Sequence, residues 1–200
     1  MRKSIFTVLA GAAIAMATTA VAQQEVRSRG KHEHGHGTLD MAIEGNRVLI
    51  EFHAPGADIV GFEHHARTEE DKAAIGKAIR LLKTPLALFT MPADAACRVD
   101  KVLVSPAGDD MHEHAPEHAD KHKNAHQGAH EKEHKDGHME FHAEYALACE
   151  RPEQIRRIAF PYFKLFPRSR ELAVTVIDGR GQARHEVERD TPTVDLKRTP

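Results

Sequence analysis

Thr38-Leu39-Asp40-Met41-Ala42-Ile43-Glu44-Gly45-Asn46-Arg47-Val48-Leu49-Ile50-Glu51-Phe52-His53 decides the fold. Leu39, Met41 and Ile43 alternate along the first half, and Val48, Ile50 and Phe52 along the second, the period-two signature of strands with one buried face. Between them stands Gly45-Asn46, a two-residue turn with glycine leading, as a type II′ turn requires. Folding about that turn pairs Ile43 with Val48, Met41 with Ile50 and Leu39 with Phe52, and sets Glu44 opposite Arg47. Every apolar residue meets an apolar partner, so the register is self-consistent.

Working outward, Thr68-Glu69-Glu70-Asp71 opens a helix: a threonine N-cap is followed by acids that suit the positive helix end. Ile75, Ala78, Ile79 and Leu82 form its apolar stripe, and Pro85 stops it. Residues 97–104 and 139–150 read as strands. In the second, Met139, Phe141, Ala143, Tyr145, Leu147 and Cys149 point inward, while Glu140, His142 and Glu144 point out. Residues 172–177 and 182–187 form a further hairpin around Asp178-Gly179-Arg180-Gly181. Phe160, Tyr162, Phe163 and Phe166 read as core. The expected class is α+β: a mostly antiparallel sheet with hairpins, one clear helix and a long disordered histidine-rich loop.

The N-terminus reads as an address. Met1-Arg2-Lys3 is basic, an apolar run follows, and Ala20-Val21-Ala22 ends it, the pattern of a secretory signal peptide cleaved after Ala22. The apolar run is shorter than the roughly 20 residues of a membrane span, and no later segment is long enough. Residues 1–22 are therefore read as the signal, 23–37 as a histidine-rich arm, and 38–200 as a single domain interrupted by a loop over 108–137. The expected location is the periplasm. Without Arg2 and Lys3 the chain carries 26 basic and 30 acidic side chains, which leaves no electrostatic footprint for nucleic acid.

Cys97 and Cys149 are the only cysteines. In an oxidising compartment the default is a disulfide, with a Cys-His metal site as the alternative. If they pair, their strands are neighbours and the segment between them becomes a very long loop, with the bridge holding its base. Such a loop is functional or disordered, and both are expected here.

Sixteen of the 200 residues are histidine, and nine of them fall between His112 and His142. From His114 they recur every four residues: His114, His118, His122, His126, His130, His134, His138, His142. Imidazole is a good zinc ligand, and residues four apart are neighbours on a helix, so consecutive pairs could grip an ion from one side. Pro116, Gly128 and Gly137 break any continuous helix, so the tract is read as disordered, with local turns forming as metal binds. A plain solvated linker explains the charge but not the regular histidines. A pH sensor explains the histidines alone.

A second group offers an ordered site. His32-Glu33-His34-Gly35-His36 leads into the first strand, and Gly61-Phe62-Glu63-His64-His65 precedes the helix. The sharper expectation is one ion held by His32, His34 or His36 together with His64 and optionally His65 or Glu63. His53 lies diagonally from His36 on the outer face and is a further possible ligand. His185 stands alone and reads as structural or solvated.

These features together resemble the zinc-regulated periplasmic protein family (ZrgA-like). The resemblance rests on His32-Glu33-His34-Gly35, Ala54-Pro55, Gly61-Phe62-Glu63-His64, the cysteines flanking a histidine-rich insert, and Phe163-Lys164-Leu165-Phe166-Pro167. It spans essentially all of residues 23–200. It implies a zinc-binding accessory to an ABC-type zinc importer and its periplasmic solute-binding protein. The expected ligand is Zn2+, with buffering of or resistance to nickel or copper as the alternative. No H-E-x-x-H pair, nucleophile elbow or phosphate loop is present, so the reading is of a binding protein and not an enzyme.

Overall fold

The computed structural model describes residues 33–107 and 138–196. The signal segment 1–22, the arm up to His32 and the insert 108–137 lie outside the described residues.

The opening hairpin forms β1 (His36–Glu44) and β2 (Arg47–Pro55). Its register is the one the apolar alternation dictates, from Glu44 opposite Arg47 to Thr38 opposite His53. Gly45 takes φ +57°, while Asn46 stays at negative φ, the pattern of a type II′ turn. Leu39, Met41, Val48, Ile50 and Phe52 are all buried.

Around this hairpin stand β3 (Cys97–Ala107), β4 (Glu140–Cys149), β6 (Glu171–Asp178) and β7 (Gly181–Glu188), in the order β3-β4-β2-β1-β6-β7. A separate two-stranded sheet pairs β5 (Arg157–Ala159) with β8 (Thr193–Asp195). The main sheet is mixed but mostly antiparallel, as expected, with one parallel pair that the alternation did not announce. β1 runs parallel to β6, with Leu39 opposite Val174 and Met41 opposite Val176, while the other pairs are antiparallel. Both strands carry an alternating apolar face, and in this register the faces coincide, so burial is satisfied whichever way the chain runs.

One face of the sheet is covered. The long helix α2 (Glu69–Leu82) is closed by a capping box: Thr68 accepts from the Asp71 N–H, and Asp71 accepts from the Thr68 N–H. It buries Ala78 and Leu82, and the Tyr145 hydroxyl donates to the Leu82 carbonyl at 2.9 Å, fastening the helix end to β4. The helices α1 (Gly56–Ile59), α3 (Pro85–Leu88) and α4 (Tyr162–Leu165) are single turns. The aromatic run expected as core packs there: Tyr162 lies 5.4 Å from Phe52, 5.2 Å from Phe163 and 5.2 Å from Phe166, ring centre to ring centre. Such aromatic pairs add about 0.5–1.5 kcal/mol each beyond the area they bury.

Cys97 and Cys149 form a disulfide between directly opposed residues of β3 and β4. The bridge does not hold the base of the insert. That base is the pair Ala107 and Glu140, at the far end of the same ladder. At about 3.4 Å per residue the two ends lie about 30 Å apart, because both strands run nearly their whole length between them.

Among the described residues, the opposite face of the sheet is the more exposed one. Leu49, Leu103 and Ile177 are exposed on it, as are Asp40, Glu51 and Glu144 between them in part or fully. His185 points the other way, opposite the buried Val174, at the edge of the core.

Candidate metal centre

The turn 33–36, the loop after α1 and the start of β4 meet around one carboxylate, that of Glu63. Its side chain is 13% exposed, and it lies between two imidazoles. His138 Nδ1 is 2.6 Å from Oε2 in a hydrogen bond. His34 Nε2 is 2.9 Å from Oε1, but off the line a hydrogen bond needs, so this buried oxygen has no true donor. Burial pushes the Glu63 carboxyl up, yet the contacts with His138 and His34 outweigh it and hold the group below its ordinary value. Two nitrogens and a carboxylate converging this way are a donor set that suits zinc.

Backbone bonds hold each partner. Met139 N–H donates to the Glu63 carbonyl at 2.8 Å, and Gly56 N–H donates to the Met139 carbonyl at 2.7 Å. Gly35 N–H donates to both carboxylate oxygens of buried Asp58, at 2.8 and 3.0 Å, and the Gly35 carbonyl accepts from Arg170 and Glu171. Gly35 has φ +93°, a conformation that suits glycine, and this turn carries His34 toward Glu63. Burial raises the Asp58 pKa, opposed by the Gly35 bond and by the nearby His34 charge.

The other expected ligands of this group lie elsewhere. His36 faces Glu33 at 3.6 Å and Glu171 at 3.5 Å. His64 stacks on Phe62, with ring centres 4.6 Å apart, and its Nδ1 meets the His65 carbonyl at 2.9 Å. His65 is exposed.

A second constellation stands on the more exposed face. His53 of β2 is directly opposite His142 of β4, and their rings stack 4.4 Å apart. Glu51 Oε1 is 3.0 Å from His53 Nε2 and 3.5 Å from His142 Nε2. Among the described residues this is the trio whose donor atoms all lie within 4.8 Å of one another.

A sequence model described as "ZrgA family zinc uptake protein" matches residues 31–196. The chain belongs to the ZrgA family. No curated protein matches it. The match to this zinc uptake family includes both constellations, the disulfide and the whole insert.

Within this ZrgA-family chain, residue reading had placed His34 and Glu63 among the candidates for one site, and His138 apart from them, as one repeat of the four-residue array. What it lacked was the bond between Met139 and Glu63, which no local pattern announces. The pairing of His53 with His142 was missed because the alternation leaves the strand order open and does not set β4 beside β2. The outward phase of both histidines was the available signal. His32, His112, His114, His118, His122, His126, His130 and His134 lie outside the described residues.

Proposed function

We propose that this chain captures zinc in the periplasm and passes it to an ABC-type zinc importer or its solute-binding protein. The observation that carries this reading is the partly buried Glu63 carboxylate, with an imidazole nitrogen beside each oxygen and its buried Oε1 without a hydrogen bond. Zinc among these atoms would replace a poorly satisfied contact with coordination bonds, His34 through Nε2 and His138 through Nδ1.

The openness of the site supports carriage over a structural role. The side chains of His34 and His138 are 66% and 62% exposed. Structural zinc sites are closed by four protein ligands, whereas three donors leave a position through which a receiving protein can enter. In the chain, the histidines of residues 112–134 lead directly to His138, and we assign them to capture. The disulfide fits an oxidising compartment. Among the described residues no helix is long and apolar enough to cross a membrane. The work proposed is reversible binding, without catalysis.

The test is calorimetric zinc titration of residues 23–200 at neutral pH, against Glu63→Gln and His34→Gln. The tightest binding event should weaken at least tenfold in each. Unchanged binding in both would remove Glu63 from the role. Transfer of zinc from the loaded protein to the purified solute-binding protein tests delivery. Growth of a deletion strain under zinc starvation, against nickel or copper excess, separates uptake from resistance.

A further inference from the structure

We propose that Glu51, His53 and His142 form a second zinc site, open to solvent, on the more exposed face of the sheet. It shares no residue with the Glu63 centre and stands or falls separately.

The geometry is close to that of a loaded site. Donors about 2.0–2.2 Å from a tetrahedral zinc ion stand about 3.3–3.5 Å from one another. Of the two contacts to Glu51 Oε1, the 3.5 Å to His142 Nε2 falls within that spacing and the 3.0 Å to His53 Nε2 is slightly shorter. To aim both Nε2 lone pairs at one ion the stacked rings must turn out of parallel, a side-chain movement on fixed strands. All three residues sit inside strands, on neighbours paired over nine positions from Arg47–Ala148 to Pro55–Glu140, so the donors ride on a rigid frame.

The groups around the trio favour a cation. Glu51 lies directly opposite Asp40 on β1 and Glu144 on β4, which puts three acids in one row across the sheet. On the other side of the imidazoles, Glu140 Oε1 faces His53 Nδ1 at 3.6 Å. A carboxylate there favours the tautomer with the proton on Nδ1 and the lone pair on Nε2, toward the ion, as second carboxylates do behind metal-bound histidines.

The alternative is a purely electrostatic cluster, with Glu51 bridging two protonated imidazoles. His142 speaks against it. Its Nε2 is buried without a hydrogen-bond partner, and the two rings stack in parallel, a poor arrangement for two cations. One zinc ion satisfies both nitrogens at once. Two nitrogens and one oxygen suit zinc or a neighbouring transition ion far better than calcium or magnesium, which take oxygen donors. Glu51 also lines a cavity of ≈ 370 Å³ on the same face, whose charged lining is Asp40, Glu51 and Glu144 with Arg47 and Lys101. That space admits water or a donor from another molecule.

The test is a zinc chloride titration of residues 23–200 carrying 15N-labelled histidine, followed by nuclear magnetic resonance. His53 and His142 are assigned with His53→Gln and His142→Gln, and Glu51→Gln serves as the functional variant because this exposed side chain can change without disturbing the core. Zinc should move the Nε2 signals of His53 and His142 together, and Glu51→Gln should weaken that response at least tenfold. The response should survive Glu63→Gln, which separates this site from the Glu63 centre. The proposal is overturned if the two signals stay in place at zinc concentrations that saturate the protein, or if their response ignores Glu51→Gln.

Discussion

The Met139 N–H donates to the carbonyl of Glu63 at 2.8 Å, and this one backbone bond sets His138 beside the Glu63 carboxylate. The residues are far apart in sequence, and the insert 108–137 lies between them. Their meeting depends on Gly56, whose N–H holds the Met139 carbonyl from the other side.

Gly56→Ala should therefore break the candidate centre from a distance. An added Cβ would stand 2.6 Å from the Phe62 carbonyl oxygen and 2.8 Å from that of Met139, both backbone atoms that cannot swing aside. Overpacking of this kind costs about 1–3 kcal/mol. Chemical denaturation should show that loss, and calorimetry should show weakened zinc binding although no proposed ligand is changed. Wild-type affinity in a folded Gly56→Ala protein would mean that the loop's placement against β4 does not matter to the site.

Asp58→Asn separates stability from affinity. Burial raises the folded pKa of Asp58 above its unfolded value. With that sign, its contribution to stability is complete below the unfolded pKa and is lost as pH rises through the folded one, so the charge is a cost at neutral pH. Asparagine removes the charge and keeps one acceptor for the Gly35 N–H. The melting temperature at pH 7 should hold or rise. Zinc affinity should fall about tenfold, the low end of what a lost supporting carboxylate costs, because only the charge near His34 is removed and the Gly35 bond is kept. A lower melting temperature with unchanged affinity would reverse the assignment.

The sequence showed most where interactions are local. The hairpin register, the Thr68 cap and the inward phase of 139–149 all follow from contacts within a few residues, or from strict alternation. The parallel pairing of β1 with β6 joins segments more than a hundred residues apart, and alternation says nothing about strand direction. The same limit applies to the sites. His34 and Glu63 sit in conspicuous motifs, but what joins them is the Gly35–Asp58 bond and the placement of β4, both products of tertiary packing. For Glu51, His53 and His142 the outward phase was legible and the β2–β4 adjacency was not.

The disulfide should matter to stability and leave zinc binding intact. It closes a loop with a sequence separation of 52 residues. The chain-entropy model gives about 4 kcal/mol for a loop of that length. Cys97→Ala with Cys149→Ala should lose an amount of that order in denaturant unfolding. Because the bridge sits at the end of the β3–β4 ladder away from Glu140, zinc affinity at temperatures where the variant is folded should not change. A parallel loss of affinity would show that the bridge positions the site after all.

The metal-free protein should show the His53 cluster in its pH dependence. Contact with Glu140 raises His53 above its ordinary 6.5 against the opposing effect of burial, and Glu51 adds to the rise. The hydrogen bond from His53 holds Glu51 below its ordinary 4.5, again against burial. The His53 contribution is complete below its unfolded pKa and is lost as pH rises through the folded value. The Glu51 contribution is present above its unfolded pKa and is lost as pH falls through the folded value. In chelator, the melting-temperature gap between wild type and His53→Gln should thus be widest between about pH 4.5 and 6.5 and close on both sides, and it should be small, because the groups are partly solvated. Saturating zinc should reverse the alkaline limb, since coordination needs the neutral imidazole and strengthens as the proton leaves. A gap that closes above neutrality with zinc as it does without it would show that His53 holds only a proton.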